Sequence, residues 1–334
     1  MLKKIKILFL WLVKLSGIFY ICRYYYRFHV RVLCYHGFAY SDEFKFRPKL
    51  FMKPETFASR IEYFMKSGFK IVPLAEALNN PTKPYQLAFT MDDGWSGVYD
   101  LIKDVIVKYD IPTTIYITSY YAETQKPVMN VAVSYLLWKS KERILKLKKD
   151  NITIKEVDVV HTPERVKEIC DHIDSFDSDK RLALLLDIAG QLNVSIFHNG
   201  KMLFRLLNKF ELMELNRKNF DLQLHTHRHH SPLNHQEFKN EIELNRTWLS
   251  QFKSPDQLIH FCFPNGEYHM SNLEVLAAAN VKSATTTRIG LHRPGSNLLK
   301  INRILDGENL SFIELEAELS GFNTFIKFLK GDRS

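Results

Sequence analysis

Apolar and polar positions along the chain fall into two rhythms. Short runs of strand character recur at 31–36 (Arg-Val-Leu-Cys-Tyr-His), 69–73, 86–91 (Gln-Leu-Ala-Phe-Thr-Met) and 112–118. Others follow at 221–226, 259–264, 281–287 and 299–304. Between them, 54–67, 97–109 and 235–253 carry apolar positions at helical spacing, and the first opens on Pro54-Glu55-Thr56. Strands alternating with helices predict an α/β fold, a parallel sheet covered by helices. Seven or eight such units point to a closed barrel rather than an open sheet. The alternation breaks over 123–215, where stretches such as Lys139–Lys149 and Glu164–Lys180 are charge-rich and read as helical. The pattern predicts a helical insertion over about 128–200, between two sheet strands and bordering one end of the barrel.

Composition excludes some classes. With 334 residues, 46% hydrophobic and 13% aromatic, the chain can bury a sizeable core and is not a disordered or low-complexity polymer. The net charge of +9 is uneven. Residues 1–41 hold Lys3, Lys4, Lys6, Lys14, Arg23, Arg27 and Arg31 and no acidic residue. This concentration argues against a protein-wide nucleic-acid surface and for one basic N-terminal segment.

That segment is also apolar. Ile7–Val13 is a dense hydrophobic run, interrupted by Lys14 and resumed over 15–22. The uninterrupted run is shorter than the roughly 20 residues a bilayer span takes. No small-x-small cleavage site follows it. Arg23-Tyr24-Tyr25-Tyr26-Arg27 suits the headgroup region. Residues 1–28 therefore read as a basic amphipathic membrane-associating segment ahead of a domain over 29–330. A signal anchor and a terminal helix packed on the domain are the alternatives. The cysteines, Cys22, Cys34, Cys170 and Cys262, form no CxxC pair and read as reduced thiols. Together these features place the protein peripherally on the cytoplasmic side of a membrane, with a signal-anchored domain facing the cell envelope as the alternative.

Three motifs carry chemistry. In Phe89-Thr90-Met91-Asp92-Asp93-Gly94-Trp95 an apolar strand ends in adjacent carboxylates. Neighbouring side chains diverge, so one can hold a metal while the other faces a substrate; the plainer reading is a turn capping the next helix. In His225-Thr226-His227-Arg228-His229-His230, His225 and His229 are four apart and can converge on one ion. A solvated His-rich loop is the alternative, but five of the 13 histidines fall within 225–235. One Asp and two His make a three-ligand site with open positions, suited to a catalytic metal holding a water. The spare carboxylate can then take the water's proton. The third motif, Phe261-Cys262-Phe263-Pro264-Asn265-Gly266, runs a strand into a tight turn that can offer N–H groups to a developing oxyanion.

This combination resembles the polysaccharide deacetylase family, carbohydrate esterase family 4, with its NodB-homology domain. Thr90-Met91-Asp92-Asp93-Gly94 looks like the family's Thr-Phe-Asp-Asp-Gly, and His225-Thr226-His227-Arg228-His229 like its His-Ser/Thr-x-x-His. Phe261–Gly266 resembles its Phe-x-Tyr-Pro-x-Gly stretch, and Val32-Leu33-Cys34-Tyr35-His36 an early Leu-x-Tyr-His strand. Thr285–Gly290 and Ile301-Asn302-Arg303-Ile304 resemble the closing strands, so the likeness covers about 30–305 outside the insertion. The resemblance implies a distorted (β/α) barrel of seven or eight strands. It implies Asp92 as base and Asp93, His225 and His229 as ligands of a divalent metal, most often Zn2+. It places Pro264, Asn265 and Gly266 along the substrate groove. The implied reaction removes N-acetyl or other N-acyl groups from amino sugars of a polysaccharide or lipid-linked glycan by attack of a metal-bound water.

Two departures matter. Leu291-His292-Arg293 resembles the family's closing Leu-His motif, which supplies a catalytic acid, but precedes the last strand and lacks the following acid. His292 is the expected acid on that likeness, and His36 the other histidine expected near the substrate. The arginine of the family's Arg-x-Pro-Tyr motif has no counterpart in His260–Pro264. Competing readings are a catalytically degenerate glycan-binding or membrane-assembly protein of the same fold, and a non-heme iron oxygenase using the same three ligands.

Overall fold

The alternating runs close into a ring. A computed structural model describes residues 2–149 and 152–331; Met1 of the expected N-terminal segment, residues 150–151 of the expected insertion, and 332–334 lie outside the described residues. Seven strands run in parallel: β1 (Arg31–Tyr35), β2 (Gln86–Met91), β3 (Thr113–Ile117), β4 (Phe220–Leu224), β5 (His260–Cys262), β6 (Ser283–Ile289) and β7 (Ile301–Leu305). Each pairs with its successor in sequence, and β7 pairs back onto β1. Closure satisfies every edge, which is how parallel strands avoid exposed ladders. The run at 69–73 forms only Lys70–Ile71, which pairs with the start of β2 and takes no place in the ring. The ring is distorted: β5 has three residues, and the β6–β7 register shifts between Thr285 and Ile289.

The strand period of two sorts the side chains. Leu33, Phe89, Ile115, Leu222, Phe261 and Ile304 point outward into the main core beneath the helices. Val32, Ala88, Tyr116, Cys262 and Ile301 fill the inside of the ring. Among the surrounding helices are α1 (Leu2–Leu15), α2 (Ile18–Tyr25), α3 (Pro54–Lys66), α4 (Met129–Lys139), α5 (Pro163–Asp174), α6 (Ser178–Gln191), α7 (His235–Leu249), α8 (Phe312–Ser320) and α9 (Phe322–Leu329). Local chemistry starts several of them. Proline opens α3 and α5, the Asn234 side chain caps α7 through Gln236 N and Glu237 N, and Ser311 with Glu314 forms a capping box on α8.

The insertion lies between β3 and β4 and packs around a second core, including Leu136, Leu145, Leu147, Val157, Ile169 and Leu185, that Phe46, Phe51 and Trp95 join from outside it. It departs from the helical expectation. Besides α4, α5 and α6 it holds an antiparallel hairpin, Ile144–Lys149 with Ile152–Asp158. Leu145 and Leu147 are buried while Lys146 is exposed, a period of two that the lysine-rich composition disguised as a solvated helix face. The α1–α2 pair bends by 74°, and no single helix among the described residues is long and apolar enough to cross a membrane. Gly17, at φ 82°, makes that corner.

Leu136 is fully buried inside the insertion's core. Leu136→Ala should cost about 2–5 kcal/mol. Hydrogen exchange should then quicken over the insertion's helices and hairpin, while the β1–β3 amides keep their protection.

Candidate active site

Five strands in succession each place the next residue in one cleft. His36, Asp92, Thr118, His225 and Phe263 directly follow β1, β2, β3, β4 and β5, and all line it. This is the carboxyl end of a parallel barrel, where strand ends diverge and loops can build a site. The cleft measures about 310 Å³, and Val128 and Val131 from the insertion wall one side.

Asp92 continues the inward register of Ala88 and Thr90. Arg303 reaches it from β7 with two parallel bonds, Nη1 to Oδ1 and Nη2 to Oδ2, each 2.7 Å. Arg303 is fully buried and also donates to Thr286 O at 2.9 Å and Thr90 Oγ1 at 3.2 Å. The Cys34 and Cys262 thiols lie 3.5 and 3.4 Å from Asp92 Oδ2. His36 Nε2 is 3.6 Å from the same oxygen. Burial by itself raises the Asp92 pKa, but the guanidinium overcomes it and holds the carboxyl down at about 2. The guanidinium on Asp92 thus comes from β7 and not from 260–264, where no arginine occurs. Its signal was an arginine amid apolar residues at an inward-facing position of the last strand.

Asp93 turns the other way. Its backbone is left-handed, φ 68°, and Gly94 follows at φ 83°, where an added Cβ would meet Ile117 Cδ1 at 2.8 Å. Asp93 Oδ2 accepts from Trp95 Nε1 at 2.7 Å. Oδ1 faces His225 Nε2 at 3.0 Å and His229 Nε2 at 3.1 Å. His225 Nδ1 donates to Cys262 O at 2.8 Å, and its backbone N–H donates to Asn245 Oδ1 of α7 at 2.9 Å. The two histidines do not sit on a helix. Thr226 at φ 61° and His229 at φ 58° fold the segment back on itself. His227 is aimed elsewhere, its Nδ1 2.9 Å from Ser119 Oγ.

The three free donor atoms lie within 4.8 Å of one another. A carbonyl can only accept, so the proton of a neutral His225 is on Nδ1 and the Nε2 lone pair points at a carboxylate oxygen. That contact is repulsive until a proton or a cation stands between, and one carboxylate with two imidazoles fits a divalent ion. Two other groupings, Cys34 with His36 and Asp92, and Asp92 with His225 and Cys262, lie close together as well. Both depend on Asp92, whose two oxygens are already taken by a guanidinium.

The remaining expected residues divide. Asn265 and Gly266 line the cleft, and Pro264 is buried behind them. Asn265 has φ 56°, and a Cβ on Gly266 would come within 2.0 Å of Thr287 Oγ1. The turn spends the Gly266 N–H on Phe263 O and the Glu267 N–H on Pro264 O, so neither is free for an oxyanion. His292 corrects the expectation that it is the acid. It pairs with Val30, just before β1, at the opposite end of the barrel, and is buried there with its pKa pushed down to about 4. Its place before the last strand sends it to the wrong end.

No family model and no curated protein matches the chain. Solved structures do. The deacetylase PplD of Streptococcus pyogenes is 17% identical with a TM-score of 0.57, covering 87% of this chain and 98% of its own. IcaB from Ammonifex degensii is 16% identical with a TM-score of 0.54, covering 87% and 97%. A polysaccharide deacetylase from Bacillus cereus is 16% identical with a TM-score of 0.52, covering 87% and 69%. The fold is that of the polysaccharide deacetylases, a seven-stranded (β/α) barrel. At these identities the likeness is one of fold.

Arg303→Met should leave a buried carboxylate unpaired and cost about 3–5 kcal/mol. The Asp92 pKa is depressed from 3.8 to about 2, so the pair stabilises fully above about pH 4 and loses that contribution as pH falls through 2. Denaturant midpoints should therefore show the variant's deficit whole at neutral pH and shrinking toward pH 2; a deficit independent of pH would contradict this reading.

Proposed function

We propose that the protein hydrolyses N-acyl groups, N-acetyl foremost, on amino sugars of a polysaccharide or lipid-linked glycan. The observation that carries this reading is the separation of two carboxylates in one cleft. Asp93 joins His225 and His229 as a three-donor cation site, while Asp92 is held apart by Arg303. The deacetylase fold and the acetate present with the similar PplD support the choice of reaction.

Asp93, His225 and His229 would hold a divalent ion, most suitably Zn2+ for this donor set. Such an ion, when bound, polarises an acyl oxygen and brings a water's pKa close to neutral. The chain's own residues do the rest. Asp92 receives the proton of the attacking water, and Arg303 fixes the carboxylate's plane and keeps it ionised between turnovers. The scissile C–N bond breaks as the nitrogen takes a proton, giving the carboxylate and the free amine. His36 is the histidine of the cleft outside the cation site and reaches Asp92 Oδ2 at 3.6 Å. It is the group placed to give that proton. Asn265 and Gly266 shape the wall against which the sugar lies.

Metal content and acetate release from N-acetylated oligosaccharides test this on the full chain. The wild-type protein should carry a stoichiometric divalent ion and release acetate. Asp93→Ala should lose both. Asp92→Asn should keep the ion and lose about 10²–10⁴-fold in kcat. Bound ion with no acyl group released from any amino sugar would overturn the proposal.

A second comparison assigns the acid. His36→Gln should lower kcat by about 10²-fold or more with the ion retained. His292→Gln should leave kcat unchanged. The reverse pattern would return the role to His292.

A further inference from the structure

The N-terminal helices present two unlike sides. On the inner side Leu10 and Val13 of α1, and Phe19 and Cys22 of α2, are buried against the domain. Lys6 pairs with Glu314 at 2.8 Å and Lys14 with Glu316 at 2.6 Å, both acids standing on α8. The Phe19 ring lies 5.5 Å from Phe322 at the start of α9. On the outer side, Leu8, Leu12 and Leu15 of α1 are 63%, 60% and 79% exposed. Tyr20, Ile21 and Tyr25 of α2 are 77%, 64% and 72% exposed. The adjoining α9 ends on exposed Phe328 and Leu329.

Most sequence patterns place lysines of an amphipathic helix toward solvent. Here Lys6 and Lys14 reach across to acids of α8, while Leu8, Leu12 and Leu15 of the same helix face out. The remaining charge is not neutralised locally. Lys3, Arg23 and Arg27 donate to the carbonyls of Asn309, Ser67 and Tyr24, and Lys4 is exposed. No Asp or Glu occurs before Asp42. An exposed apolar face rimmed by unneutralised cations and tyrosines complements an anionic lipid surface. It opposes a second copy of the same face, because a two-fold pairing would bring like charges together.

We propose that the α1–α2 corner is a membrane-docking face that lies in the plane of the lipid headgroups with its apolar side buried among them. The 74° bend and the α1–α8 clamp favour this arrangement over a span, since spanning would tear both helices from Glu314, Glu316 and Phe322. Lys3 bonds to Asn309, in the loop that follows β7 at the catalytic end of the barrel. The docked face thus begins beside the rim that carries the cleft, which suits a glycan held at a membrane.

Co-sedimentation of the full chain with vesicles tests the face directly. The wild-type protein should pellet with phosphatidylglycerol-containing vesicles, less with phosphatidylcholine alone, and less again at high salt. Leu8→Glu/Leu12→Glu should weaken partitioning by about tenfold or more, from two leucines no longer buried in lipid. Circular dichroism and bound-ion content of that variant should match the wild type, since both side chains point away from the domain. A wild-type chain that stays in solution with both vesicles, or a variant that pellets equally, overturns the proposal. So does a lipid-free wild-type dimer, by analytical ultracentrifugation, that the same substitutions dissociate.

Discussion

One buried ion pair organises the mouth of the barrel. The inside of such a ring normally packs apolar side chains, and a lone charge there is prohibitively costly. Arg303 and Asp92 meet with two bonds of 2.7 Å, and the guanidinium's other N–H groups reach Thr286 and Thr90. Room for the guanidinium comes from small inward-facing neighbours around the ring, Cys34, Thr90 and Cys262. Both Asp92 oxygens face the guanidinium, whereas Asp93 Oδ1 faces two imidazoles. In the proposed function the ligand role therefore falls to the next residue, and base and ligand are separate groups although they are neighbours in the chain.

Backbone geometry makes that separation possible. Asp93, Gly94, Thr226, His229 and Asn265 all take positive φ, and all lie at or beside the cleft. Strained residues persist only where the surroundings over-determine them. Here the determinants are visible: Trp95 on Asp93, Cys262 O and Asn245 on His225, and Thr287 packed where a Gly266 side chain would stand. The site is thus held from β4, β5, α7 and the β2 loop at once, so its donor atoms need little rearrangement to meet a ligand.

The additions to the barrel divide its surroundings. The insertion, packed on a second core that it shares with Phe46, Phe51 and Trp95, lends apolar side chains to one wall of the cleft. The N-terminal helices pair Lys6 and Lys14 with α8, bury Leu10, Val13, Phe19 and Cys22 against the domain, and turn Leu8, Leu12 and Leu15 outward.

The sequence by itself determined the alternation of strands and helices, and the Asp92-Asp93 and His225…His229 groups, because period-two runs and strand-end residues are local properties. It left the insertion's hairpin hidden, since alternating lysines fit a strand as well as a helix face. Tertiary structure decided the number of ring strands, the end of the barrel at which each histidine lies, and the partner of Asp92. His36 and His292 look alike in one dimension, each beside a strand-like run, yet one follows a strand and the other pairs before one, which separates them by the height of the barrel. Arg303 lies 211 residues from Asp92. No local pattern ties them together; closure of β7 onto β1 does, because it leaves only β1 between β7 and β2 and turns both residues into the ring.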